Sequence, residues 1–207
     1  MMDKYKMSAG SLFFLLLCLL TPFPLFAGAP TDQIRASVDK IVAILNNPRF
    51  KSEARSKERR DQLKQAISSR FDFAEMARRS LGSQWRRLTP KEQEEFVRLF
   101  TDLLERAYID RIEAYSDEKF AYIRENLDKD YAEVMSRIVT NKGEEFSLNY
   151  KVHLVGSEWK VYDVVVENIS LVNNYRSQFN RIITNSSYEE LIRKMKEKQI
   201  ELAGEKK

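Results

Sequence analysis

The chain has 207 residues, with 35 basic and 31 acidic side chains, a formal charge of +4, one histidine, one cysteine and six glycines. One cysteine allows no disulfide within the chain, and one histidine cannot build a multi-histidine metal centre. Charges of both signs are intermixed, so the small basic excess describes a solvated surface and gives no support for nucleic acid as a partner.

Residues 1–27 read as a cleavable secretory signal. Lys4 and Lys6 precede an apolar run from Leu12 to Phe26, and Ala27-Gly28-Ala29 supplies the small residues of a cleavage site. Pro22 and Pro24 interrupt the run, which is too short for a comfortable membrane span. Cleavage is expected after Ala27, because a cut after Ala29 would leave Pro30 first. Leu17 is bulky where a lipid-anchored precursor needs a small residue before its cysteine, so the exported chain is expected to lack Cys18 and any thiol chemistry. Residues 28–207 then suit a single domain, mainly helical over 28–117 and 170–207 and mainly sheet over 118–169.

Ile34, Val38, Ile41, Val42 and Leu45 recur at helical spacing, and Asn46-Asn47-Pro48 ends that helix. The following KSEARSKERRDQLKQAISS is charged, with apolar character only at Leu63, Ala66 and Ile67. A short helix around FAEMARRSLG stops at Gly82. LTPKEQEEF opens the longest helix: Thr89 caps, Pro90 fits the first helical position and Glu92 completes a capping box. Phe96, Leu99, Phe100, Leu103, Leu104, Ala107, Tyr108, Ile112 and Tyr115 give it an apolar face broader than one neighbour requires.

From Glu118 to Glu167 the period becomes two. FAYIREN, YAEVMSRIVT, EEFSLNYKVHLV and EWKVYDVVVE predict four strands, with turns at Asn141-Lys142-Gly143 and Gly156-Ser157 that imply an antiparallel meander. Phe146, Leu148, Tyr150, Val152 and Leu154 share one face of the third strand, and Lys151 and His153 point to the other, polar face. Ser170 caps a closing helix carrying Leu171, Val172, Tyr175, Phe179, Ile182 and Ile183, and another helix follows a break near Asn185. The fold class is α+β, with helices over one face of a curved four-stranded antiparallel sheet.

Catalytic signatures are missing from this pattern. The sequence holds no phosphate-cradling glycine loop, no G-x-S-x-G elbow, no H-E-x-x-H motif and no clustered carboxylates for calcium. His153 reads as a surface residue. Asp163, set among valines in WKVYDVVVENIS, is either an acid-base group with a raised pKa or a structural carboxylate that caps backbone amides or pairs with an arginine such as Arg176. The structural role is preferred. Arg78, Arg79, Arg86 and Arg87 are arginine pairs available to a lipid headgroup or an acidic partner.

Two stretches carry a family likeness. FDFAEMARRSLGSQWRRLTPKEQEEFVRLFTDLLERAY, residues 71–108, and WKVYDVVVENISLVNNYRSQFNRII, residues 159–183, closely resemble the MlaC family of periplasmic phospholipid-binding proteins, also known as toluene-tolerance or ABC-transporter auxiliary proteins. The resemblance implies a cone-like sheet similar to nuclear transport factor two beside a helical lobe, with acyl tails between them. It implies a phospholipid cargo and no cofactor, metal or enzymatic activity. It also implies partners at both membranes, an outer-membrane lipoprotein complex and an inner-membrane ABC transporter with a periplasmic substrate-binding component, serving outer-membrane lipid asymmetry.

The residues themselves fit such a task. Phe120, Val134, Ile138, Leu148, Tyr150, Val152 and Val161 on the sheet and Phe100, Leu104, Tyr108, Ile112 and Tyr115 on the long helix would line an apolar slot for lipid tails if the two faces do not close on each other. A shuttle that must diffuse is expected to be a monomer. Two rival readings are an exported hydratase or isomerase using Asp163 with Tyr150 or Tyr162, and an adaptor that binds a partner through Tyr175 and the C-terminal helix without any cavity.

Overall fold

The structure is a computed structural model that describes residues 30–50, 52–115, 117–198 and 200; the expected signal segment lies outside them. Helix α1 (Pro30–Leu45) buries Ile34 and Val38 and is followed by single turns of 3-10 helix at Pro48–Phe50 and Glu53–Arg55. Helix α2 (Ser56–Arg70) buries only Leu63 and Ala66, in keeping with its charged sequence. In α3 (Phe73–Leu81) Asp72 caps by accepting from the Glu75 N–H at 2.9 Å. Gly82 ends it at φ +57°, a region that disfavours a side chain, and 3-10 helix continues to Arg87.

Helix α4 (Pro90–Glu113) begins with the expected capping box: Thr89 Oγ1 accepts from the Glu92 N–H, and the Glu92 carboxylate accepts the Thr89 N–H at 2.7 Å. The sheet follows as β1 (Lys119–Asp128), β2 (Tyr131–Val139), β3 (Glu145–Val155), β4 (Glu158–Val166) and β5 (Ile169–Ser170), antiparallel and in chain order. Among the described residues the sheet thus has five strands where four were expected. The fifth arises because Glu167 (φ 47°) and Asn168 (φ 64°) form a two-residue reversal with both φ positive, which returns Ile169 and Ser170 to pair with Val166 and Val165. Helices α5 (Leu171–Asn185) and α6 (Tyr188–Lys196) complete the order.

A bulge in β4 explains the apolar residues on both faces of VYDVVV. Val161 lies opposite Val152 and Asp163 opposite Lys151, so Tyr162 is an extra residue. Alternation is displaced by one: Trp159 and Val161 face the same core as Val164, while Asp163 turns to the start of α5.

Three apolar clusters hold the molecule together. Phe96, Phe100, Tyr175, Phe179, Leu191 and Met195 centre a helical lobe of α3 to α6, with Phe100 edge-on to Tyr175 at 5.6 Å between ring centres. Ile34 and Val38 of α1 pack on Val134, Tyr150, Val152, Trp159 and Val161 of the sheet. The third joins Ile44, Phe50, Leu63, Ala66 and Ile109 where α1, α2 and α4 meet. Large side chains buried in this way each contribute about 1.5–3 kcal/mol.

Candidate functional site

The sheet and the helices do not close on each other. Between them lies an open-sided cavity of about 530 Å³. Its floor is Phe120, Ile138, Phe146, Leu148, Tyr150, Val161, Val164 and Val166 of the sheet. One wall is Ile34, Val38, Ile41, Val42 and Leu45 of α1 with Ala66 and Ile67 of α2; the other is Leu104, Tyr108, Ile109 and Ile112 of α4. Phe71, Phe73, Met76, Tyr115 and Leu171 fill the corners.

Polar groups around this space are few and mostly engaged with each other. Arg70 is held in the protein by Ser37 Oγ at 2.8 Å, Gln33 Oε1 at 2.8 Å and the Trp159 carbonyl at 2.8 Å. Lys64 pairs with Glu105 at 2.7 Å. The Tyr115 hydroxyl donates to the Glu118 carbonyl at 3.0 Å. Burial, with a smaller effect from Tyr122, pushes the Tyr150 hydroxyl well above its usual pKa, so it stays a neutral member of the wall. Arg111 is exposed at the rim, its guanidinium 5.6 Å from the centre of the Tyr108 ring.

Nine of the twelve residues named from the sequence as slot residues border the cavity: Leu104, Tyr108, Ile112, Tyr115, Phe120, Ile138, Leu148, Tyr150 and Val161. The other three do not. Phe100 is fully buried among aromatic rings of the helical lobe, and Val134 and Val152 are fully buried in the packing between sheet and α1. From the sequence α1 was read as a helix without any of its residues being named for the slot, so a whole wall was missed. Its five apolar residues fall within one arc of about 100°, the single stripe of an ordinary packing face, so their spacing carries no signal of a cavity wall.

None of the four arginines singled out earlier borders the cavity. Arg78 and Arg79 pair with Glu75 at 2.5 and 2.6 Å, Arg79 also lies 4.0 Å over the Tyr162 ring, and Arg86 and Arg87 are exposed on the 3-10 turn. His153 is not a simple surface residue either. Its Nε2 is 3.0 Å from Asp72 Oδ2, and its ring stacks on Tyr131, so it ties the outer face of the sheet to the start of α3. Alternation placed His153 on the outer face, but it could not show that Asp72, the cap of α3, meets it there.

Asp163 has the structural role. It is 4% exposed, and its two oxygens accept from Ser170 Oγ at 2.6 Å and the Val172 N–H at 3.1 Å, which caps α5. Arg176 is not its partner; it donates to the Arg79 carbonyl at 2.8 Å. Tyr150 faces the cavity while Asp163 faces α5, and Tyr162 lies under Arg79 away from the cavity lining, so neither pairing named for the enzyme reading meets in the cavity. Tyr175, offered as an adaptor residue, is fully buried. Among the described residues no cluster of metal-ligating side chains occurs, and no helix is long and apolar enough to cross a membrane.

Known proteins resemble this chain. A family model described as "MlaC protein" matches residues 35–197. The toluene tolerance protein ttg2D of Pseudomonas putida is 25% identical over 171 residues, 79% of this chain and 79% of that protein. The intermembrane phospholipid transport system binding protein MlaC of Haemophilus influenzae is 26% identical over 122 residues, 56% of this chain and 57% of its own length. A phospholipid-binding protein from Ralstonia solanacearum, solved in complex with a phospholipid, superimposes with a TM-score of 0.74 at 25% identity, covering 83% of this chain and 97% of that one. With the family pattern running through both the sheet and the helical lobe, this chain belongs to the MlaC family.

Proposed function

We propose that the protein is a periplasmic phospholipid carrier, exported after cleavage near Ala27, that holds diacyl lipid tails in the cavity between the sheet and helices α1, α2 and α4. The observation that carries this is the cavity itself, about 530 Å³ and walled almost throughout by aliphatic and aromatic side chains. The likeness to a structure solved with a phospholipid supports the same cargo.

The physical need for such a carrier is large. About thirty methylenes at roughly 0.8 kcal/mol each put the gross cost of exposing two tails to water near 24 kcal/mol. In the cavity the tails meet a surrounding as apolar as a bilayer, so transfer between membrane and carrier is nearly balanced. Direction therefore comes from the partners, an outer-membrane lipoprotein complex and an inner-membrane ABC transporter with a periplasmic binding component, and the outcome is outer-membrane lipid asymmetry. The carrier works as a monomer, without catalysis, on the cone-like sheet that the family likeness implies. Apolar walls recognise tails by shape, so headgroup preference is weak.

Native mass spectrometry of the purified protein before and after organic extraction tests the function. The expected result is a mass excess equal to one or more diacyl phospholipids, lost on extraction. Protein that arrives without lipid and takes none from vesicles rejects the carrier function.

A further inference from the structure

The wall where α2 meets α4 is ionic. Across it the charges are sorted: Arg59, Arg60 and Lys64 of α2 meet Asp110, Glu113 and Glu105 of α4. Arg59 reaches Glu113 at 2.9 Å, Arg60 reaches Glu113 at 2.8 Å and Asp110 at 2.7 Å, and Lys64 reaches Glu105 at 2.7 Å. The apolar contact at this seam is Leu63 and Ala66 of α2 with Ile109 of α4. Outside the seam is a polar groove of about 630 Å³ that also takes in Lys57 and Arg106. Lys64, Glu105 and Ile109 border both the groove and the apolar cavity, so one ion pair and one isoleucine divide oil from water there.

That juxtaposition has the polarity of a phospholipid. A groove with five cations, Lys57, Arg59, Arg60, Lys64 and Arg106, against the carboxylates Glu53, Asp61 and Glu105 runs beside a cavity walled mainly by apolar side chains, and a phosphodiester is an acceptor that Arg and Lys take as readily as a carboxylate. Glu113 is the enclosed end of the seam, but Arg60–Asp110 and Lys64–Glu105 are partly exposed pairs, which contribute only about 0–1 kcal/mol each, so exchanging those two carboxylates for a lipid phosphate changes little in net energy. The seam is therefore a contact that lipid can open, unlike the interlocked rings joining α4 to α5.

We propose that the α2–α4 seam is a side portal through which lipid tails enter the cavity, with Arg59, Arg60 and Lys64 holding the phosphate of the cargo in the groove. It rests on the carrier function above and adds the route of loading and the headgroup subsite. Bridging the seam keeps bound lipid in and new lipid out, and raised salt weakens the latch and speeds exchange.

The test uses the full chain with Lys64→Cys and Glu105→Cys in a Cys18→Ser background, isolated with its bound lipid and joined by a cleavable bis-maleimide. Exchange is read against phosphatidylethanolamine and phosphatidylglycerol vesicles carrying fluorescent phosphatidylethanolamine, with the same protein before bridging and after cleavage as controls. Exchange is expected to fall about ten-fold on bridging and to recover on cleavage. Unchanged exchange in fully bridged, lipid-bearing protein overturns the portal and leaves the carrier function standing, whereas protein isolated without phospholipid removes both. If the double-cysteine chain does not fold, Arg60→Gln with Lys64→Gln serves instead: exchange about two- to five-fold faster than the native chain in 50 mM NaCl, with a weaker salt response, is expected. Native-like rates and salt response in that variant reject the phosphate role.

Discussion

The Asp163 carboxylate accepts the backbone N–H of Val172 at 3.1 Å, joining the last full strand of the sheet to the first turn of the helix that closes the helical lobe. The same carboxylate holds the Ser170 hydroxyl, which in turn accepts the Asn173 N–H at 3.1 Å. Removing it would leave a buried amide and hydroxyl without their acceptor.

Asp163→Ala is therefore expected to destabilise the fold by about 1–3 kcal/mol, and Asp163→Asn, which keeps one acceptor oxygen, by less. The urea midpoint measures this, with the slope of the transition unchanged. A midpoint equal to that of the native chain would exclude the capping role.

Position relative to the cavity separates two kinds of aromatic change in α4. Phe100 is enclosed by Phe96, Tyr175 and Phe179, so Phe100→Ala should cost about 3–5 kcal/mol, while the protein that still folds retains lipid. Tyr108 borders the cavity and is only half-buried, so Tyr108→Asp should leave the melting temperature close to native and strip the lipid. Lipid extraction followed by phosphate analysis distinguishes the two.

A pH effect is expected at the start of α3. Burial opposes ionisation of Glu75, but hydrogen bonds from Arg78 and Arg79 outweigh it and hold the carboxyl below its ordinary value of 4.5. A pKa lowered by folding means that the stabilisation is fully present above the unfolded value and is lost as pH falls through the folded one. Glu75→Gln should thus be less stable than the native chain by a few tenths to about 1 kcal/mol at pH 6 to 7, with the difference shrinking below about pH 4. Urea titrations of both chains across that range test it; a gap that widens on acidification contradicts it.

The capping box at Thr89 makes a smaller, local contribution. Thr89→Ala should cost about 1 kcal/mol, read as a lower urea midpoint, with lipid content unaffected because the site is at the end of α4 remote from Tyr108 and Ile112.

The sequence disclosed most where a local rule acts alone. The box at Thr89 and Glu92 and the reversal at Gly82 depend on neighbours within a few residues, and they appear where the pattern placed them. The fifth strand did not, because Glu167-Asn168 lacks the glycine that usually announces a two-residue reversal. The cavity was legible as an excess of apolar breadth on α4, but assigning residues to it required the register. The β4 bulge at Tyr162 changes which valines face inward, and strand alternation by itself cannot reveal a bulge. Val134 and Val152 share the cavity-side face with Tyr150 yet lie under α1, a distinction set by where the helix crosses the sheet. The basic residues beside the cavity went unnamed for the same reason, since Lys64, Arg70 and Arg111 reach it only through the packing of α2 and α4.

Photolabelling tests the central claim most directly. A diacyl phospholipid with a diazirine at the end of one acyl chain is loaded, irradiated and mapped by peptide mass spectrometry. Adducts are expected on cavity residues such as Ile34, Tyr108, Phe120, Ile138 and Leu148. Adducts confined to the outer face of the sheet around Tyr131 and Tyr162, with none on the cavity wall, would contradict a carrier that encloses lipid tails between sheet and helices.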